Sequence, residues 1–234
     1  MMLRRTALFI LLIAGLCAAL PSRAQDDEYF SKEIGFGLGG NFMLNDANST
    51  PFGQMNVGIA GLMRFVLNPR SAIKTELSYH AIGGNLASVA DFYPATPNAV
   101  TADRLAYNFS GGLASLTGLY ELHFLPYGYY RSYLGHQRIT PFVQLGMGFT
   151  YSTVGKKLTA NFPLGIGVKY KLRPQLNLAL DLRMHLTPSD QLDGLEAPKG
   201  IRSEMFRNKD HFATMMITLT YDFDKKCRTC NKAD

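Results

Sequence analysis

The stretch Pro163 to Leu186, PLGIGVKYKLRPQLNLALDLRMHL, carries two apolar series at a spacing of two residues. Leu164, Ile166, Val168, Tyr170 and Leu172 alternate with Gly165, Gly167, Lys169 and Lys171. After Arg173-Pro174-Gln175, the series Leu176, Leu178, Leu180, Leu182, Met184 and Leu186 alternates with Asn177, Ala179, Asp181, Arg183 and His185. A period of two is that of a β-strand, whose successive side chains point to opposite faces. Proline favours a tight turn, so the stretch reads as a hairpin. One face is apolar throughout, and the other mixes both signs of charge with glycine.

The same period continues on both sides. Upstream, Val143, Leu145, Met147, Phe149 and Tyr151 alternate with Gln144, Gly146, Gly148 and Thr150; downstream, Ala213, Met215, Ile217, Leu219, Tyr221 and Phe223 alternate with threonines, Met216 and Asp222. Earlier strands are predicted around Ile34–Phe42, Met55–Leu67 and Ile73–His80. A less regular one over Leu105–Phe124 suggests a bulge at Gly111-Gly112. The total is about eight strands, each of bilayer-spanning length.

Connections are unequal. Asn68-Pro69-Arg70 and Arg173-Pro174-Gln175 are tight, whereas Met43–Gln54, Gly83–Arg104 and Pro188–Asp210 are long. Short turns on one side and long loops on the other belong to an outer-membrane barrel, with the turns in the periplasm. Two links depart from this rule. Leu125–Gln137 is long on the periplasmic side and rich in tyrosine (Tyr127, Tyr129, Tyr130, Tyr133), and Ser152–Lys157 is short on the outer side.

Mean hydropathy is −0.03, and beyond the first residues no apolar run reaches the length of a spanning helix. A barrel escapes that test because alternate residues alone face lipid. The mixed charges and glycines suit a narrow lumen that fills itself, and Tyr79, Tyr151, Tyr170 and Tyr221 near strand ends suit interfacial girdles. The fold class is therefore all-β, an antiparallel transmembrane barrel with a filled polar lumen, located in the cell outer membrane.

Residues 1–24 read as a signal peptide, with Arg4 and Arg5, an apolar run from Ala7 to Leu20, and Ser22 and Ala24 before the cleavage point. Leu16 is too large for a lipidation site at Cys17. Loss of Arg4, Arg5 and Arg23 lowers the formal net charge of +6 by three, and the remaining basic residues are scattered, so nucleic acid is not an expected partner. The barrel is assigned to residues 25–223 and a periplasmic tail to residues 224–234.

No motif demands a cofactor or metal. Gly35-Phe36-Gly37-Leu38-Gly39-Gly40 lies within a strand, whereas a nucleotide loop needs a helix after it. Glu76, His80, Asp181, Arg183 and His185 are the best candidates for acid–base work at an outer mouth. A satisfied lumen network of opposite charges is the preferred reading of them, and no strained nucleophile turn accompanies them. Cys227 and Cys230, the two cysteines left after the signal, point to a disulfide with each other or with a partner in an oxidising compartment. Lys225, Lys226, Arg228 and Lys232 outnumber Asp224 and Asp234 there, which suits an acidic docking surface. The tyrosine-rich link serves either such contact or a headgroup girdle.

Several stretches resemble the PorG-like outer-membrane β-barrel family of the type IX secretion system of Bacteroidota. They are EIGFGLGGNFMLND (Glu33–Asp46), HFLPYG (His123–Gly128), TPFVQLGMGF (Thr140–Phe149), Pro163–Leu195, and the ending ITLTYDF before a tail with two cysteines. The resemblance implies a non-enzymatic component of a secretion complex, associated with a periplasmic ring lipoprotein and its partner subunit. The alternatives are an outer-membrane acyltransferase or protease with its site at the outer mouth, or a barrel that binds a small lipophilic ligand.

Overall fold

The computed structural model describes residues 29–44, 52, 55–85, 108–129, 135–189, 192 and 210–226. The strands are β1 (Tyr29–Leu44), β2 (Asn56–Asn68), β3 (Ser71–Asn85), β4 (Asn108–His123), β5 (Ile139–Ser152), β6 (Lys157–Arg173), β7 (Leu176–Leu186) and β8 (His211–Lys226). Each pairs antiparallel with its successor, and β8 pairs antiparallel with β1, so the sheet is a closed barrel. Closure satisfies every edge, the condition for placing strands in lipid. The segment expected to be a signal peptide and the residues from Cys227 onward lie outside the described residues.

Register assigns the faces. In the β6–β7 hairpin Val168 pairs with Leu180 and Ile166 with Leu182. Leu180 is 49% exposed, whereas Asp181 and Arg183 are each 1% exposed. The same inversion runs round the barrel. Ile34, Phe36, Leu38, Val57, Ile59, Leu77, Leu145, Met147, Leu164, Ile166 and Ile217 all face outward. A soluble monomer exposes apolar patches of about 300–600 Å² at most, so a continuous apolar belt marks the lipid face. Tyr79 and Tyr151 stand on the outer-end side of this belt and Tyr170 and Tyr221 on the other, all partly exposed, as girdles require.

The end that holds the Pro69-Arg70 and Pro174-Gln175 turns is the periplasmic end. Asn68 braces the first turn: its Oδ1 accepts from the Arg70 N–H at 2.8 Å, and its Nδ2 donates to Ser71 Oγ. Register shifts occur beside both turns, at Val66/Asn68 and Lys171/Arg173.

Gly111 and Gly112 do not form the expected bulge. They pair in register with Ile82 and Ala81. Their role is close approach. A Cβ at Gly112 would strike the Tyr79 ring, which lies across that position on the lipid face, and one at Gly111 would meet Val154 Cγ2 at 2.5 Å. The irregular pattern of β4 has another cause: Leu113 and Leu119 are apolar yet face the lumen, both fully buried. The last strand also runs on through Lys225 and Lys226, which pair with Phe30 and Tyr29. Asp224 adopts φ 62°, a conformation aspartate tolerates, and accepts from Ser31 Oγ at 2.7 Å across the closing seam.

Leu180→Arg is expected to impair membrane insertion, because a cation at the bilayer midplane costs such barrels about 2–4 kcal/mol. Leu180→Ile is expected to insert normally. Heat-modifiable migration on gels of membrane fractions checks both.

Candidate functional site

The lumen holds the protein's densest chemistry. Five carboxylates (Glu33, Glu76, Glu121, Asp181, Asp222) and five cations (Arg64, Lys74, Lys169, Lys171, Arg183) line it, all buried. Their numbers match; a sixth buried carboxylate, Asp210, stands apart from them at the outer end.

These groups form a chain of contacts. Lys169 Nζ donates to Glu33 Oε1 at 2.6 Å, and Arg64 bridges Glu33 and Glu121, meeting the latter through Nε at 2.7 Å and Nη2 at 3.1 Å. Lys74 Nζ lies 3.2 Å from Glu121, 3.6 Å from Glu76 and 4.0 Å from Asp181, and donates to Gln144 Oε1 at 2.9 Å. Arg183 completes the run, 2.6 Å from Glu76 and 2.7 Å from Asp181. Lys171 pairs with Asp222 nearer the periplasm. Small residues make room for the long cations: a Cβ at Gly165 would meet Arg183 Cγ at 2.5 Å.

Both ends are closed by side chains. At the periplasmic end the long β4–β5 link turns inward, held by the Tyr127 N–H donating to Pro69 O at 2.9 Å and the Gln137 N–H donating to Pro126 O at 2.7 Å. Tyr127 Oη donates to Asn177 Oδ1 at 2.8 Å, and the Lys169 and Lys171 ammonium groups lie 4.7 and 5.2 Å from its ring centroid. Burial pushes the Tyr127 phenol well above its usual pKa, with Glu33 and Asp222 adding to the effect, so it stays a donor. At the outer end Met43, Ile82, Phe109, Leu113, Leu192 and Phe212 form an apolar cluster with Val154 packed against it. Leu192 comes from the β7–β8 link and is fastened by Asp210 Oδ2, which accepts from its N–H at 2.7 Å, and by Ser152 Oγ, which donates to its carbonyl at 2.5 Å.

The candidate acid–base residues fall beneath that cap. His80 and His185 are almost wholly buried, and the His185 ring stacks on Phe212 at 4.3 Å while its Nε2 lies 3.3 Å from Thr214 Oγ1. The outer mouth expected for them is filled by the apolar cluster. Among the described residues no group of His, Cys, Asp or Glu has the arrangement to hold a metal ion.

The residues singled out for periplasmic contact divide. Tyr127 is the lumen plug and does not project into the periplasm. Tyr129 packs against Arg138, whose guanidinium lies 4.5 Å from its ring centroid. Lys225 and Lys226 are exposed at the end of β8. Tyr130, Tyr133, Cys227, Arg228 and Cys230 lie outside the described residues. The plug and the apolar cap escaped sequence reasoning, although the length of the β4–β5 link and the misplaced leucines of β4 were their traces.

No protein-family model matches the chain, and no curated protein matches it. Among solved structures, Ail of Yersinia pestis, an attachment invasion locus protein seen with a heparin analogue, shows 10% identity and a TM-score of 0.44, covering 85% of this chain and 100% of its own. Neisserial surface protein A gives 10% identity and a TM-score of 0.45, with 85% and 100% covered. The outer membrane enzyme PagL gives 8% identity and a TM-score of 0.39, with 82% and 99% covered. At these values the membrane assignment rests on the chain's own geometry: a closed eight-stranded barrel with an apolar exterior and a polar interior is an outer-membrane barrel.

Arg64→Met leaves Glu33 and Glu121 short of their shared cation, and removing one partner from a buried network costs about 3–5 kcal/mol. The expected outcome is a lower urea midpoint for the refolded barrel. His80→Ala should shift it far less, since no ion pair joins His80 to the network.

Proposed function

We propose that this protein is a non-enzymatic outer-membrane component of a protein secretion complex, one that anchors or organises a periplasmic ring assembly. The observation that carries the reading is the filled lumen. A barrel of eight strands has an interior just wide enough for side chains, and here buried ion pairs, the Tyr127 plug and the apolar cap occupy it from end to end. Such a barrel is no conduit for protein, and its capacity to act lies at its rims. The histidines that would serve acid–base chemistry sit under the cap, away from any substrate at the surface. The resemblance in Glu33–Asp46, Thr140–Phe149 and Pro163–Leu195 supplies the finer identification as a type IX-like component.

The tail is the proposed coupling element. β8 ends at the periplasmic end with Lys225 and Lys226, and Cys227, Arg228 and Cys230, which follow in the sequence, are taken as periplasmic. Thiols there tend to be oxidised. A Cys227–Cys230 bridge closes so short a loop that it stabilises little, whereas a bridge to a ring subunit would tether the barrel covalently. The docking partner is the ring lipoprotein or its companion subunit.

Crosslinking of intact envelopes followed by purification of the barrel is expected to recover a periplasmic lipoprotein and its partner. On non-reducing gels a reductant-sensitive band larger than the barrel should vanish in Cys227→Ser/Cys230→Ser. Free thiols and an unchanged monomer band would refute the covalent tether. Absence of any crosslinked envelope protein would refute the anchor itself.

A further inference from the structure

We infer that the periplasmic rim carries a collar of cations that binds anionic phospholipid headgroups of the inner leaflet of the outer membrane. Each of the three links at this end has an exposed arginine: Arg70 in the β2–β3 turn, Arg138 at the end of the β4–β5 link and Arg173, the last residue of β6, beside the β6–β7 turn. The fourth joint, the β1–β8 seam, presents Lys32, Lys225 and Lys226. Cations therefore stand at all four joints around the circumference. Among the described residues Asp224 is the one carboxylate that is not buried, and it is committed to Lys32 at 3.1 Å and to Ser31.

The occupant follows from the neighbours of these cations. Leu67, Ile139, Tyr170 and Tyr221, all on the lipid face, lie within a few residues of Arg70, Arg138, Arg173 and the seam lysines. The collar thus borders the acyl region, at the depth of the phosphodiester layer. Arg138 is held there. Its Nε and Nη2 donate to Lys171 O at 3.3 and 3.2 Å, and its guanidinium lies 4.5 Å from the Tyr129 centroid and 5.6 Å from that of the interfacial Tyr170. A planar guanidinium matches phosphate geometry and keeps its charge at any relevant pH. An acidic protein would need no apolar belt beside each cation, so a lipid is the better fit.

The inference is independent of the secretion reading, and its test leaves the tail intact. The mature barrel in detergent is titrated with phosphatidylglycerol or phosphatidylethanolamine, and bound lipid is counted by native mass spectrometry. Tighter binding of phosphatidylglycerol is expected, weakening roughly ten-fold in Arg70→Gln/Arg138→Gln/Arg173→Gln and falling as salt rises. Arg70→Gln/Arg173→Gln spares the hydrogen bonds of Arg138 and should give an intermediate loss with heat-modifiability unchanged. Lys156→Gln/Lys157→Gln, in the outer β5–β6 turn, should leave binding as it was. Equal affinity for the two lipids, an equal loss in the Lys156/Lys157 variant, or a folded double variant with undiminished preference overturns the collar. Undiminished lipid binding with loss of a crosslinked periplasmic protein in the triple variant overturns it too, by giving the arginines to a protein partner.

Discussion

Arg64 stands between Glu33 and Glu121 with almost no exposure to solvent, and the interior depends on that contact. Three buried charges from β1, β2 and β4 are mutually satisfied; Lys169 joins at Glu33; Glu76, Asp181 and Arg183 join through Lys74; and Lys171 and Asp222 form a pair of their own nearer the periplasm. Removing an ion from water costs several kcal/mol even after relaxation, so a buried charge persists only with a partner. Acids and bases in nearly equal number, most of them linked in one run, are how a narrow barrel keeps a polar interior without a water-filled channel. Lumen-facing glycine is the steric counterpart, since the long Arg183 side chain needs room over Gly165 on the neighbouring strand.

Much of this was legible in the sequence because lipid imposes a strict rule. With one face in hydrocarbon and the other in a polar lumen, the alternation in Leu164–Leu172 and Leu176–Leu186 gives strand, face and register together. Strands β5, β6, β7 and β8 follow their patterns closely. β4 obscured its own pattern, since Leu113 and Leu119 place apolar groups on the lumen side, one in the outer cap and one in the wall. The pair Gly111-Gly112 looked like a bulge because glycine in a strand serves bulges and close contacts alike, and the Tyr79 ring that decides between them belongs to another strand.

The functional features were less legible for a related reason. Tyrosine is amphipathic, so a cluster in a periplasmic link suits a girdle, a docking patch or a plug. Tyr127 becomes a plug through Asn177 and Lys169, residues on two other strands that no local pattern connects to it. The histidines likewise read as mouth residues from their position along β3 and β7. What places them under a lid is the apolar cap, in which Phe212 stacks on His185 and Leu192 is brought over from the β7–β8 link by Asp210.

The seam between β1 and β8 joins residues at opposite ends of the barrel sequence: Ser31 and Asp224 are 193 positions apart. Contacts of such separation form late, because loop closure must come first. Glu33, which receives Arg64, Lys169 and Thr220, draws its partners from β2, β6 and β8. Hairpins formed one after another during synthesis would leave that carboxylate incompletely matched until the final strand returns. The interior charges therefore make an incomplete sheet a poor resident of lipid, and they tie entry into the membrane to arrival of the last strand.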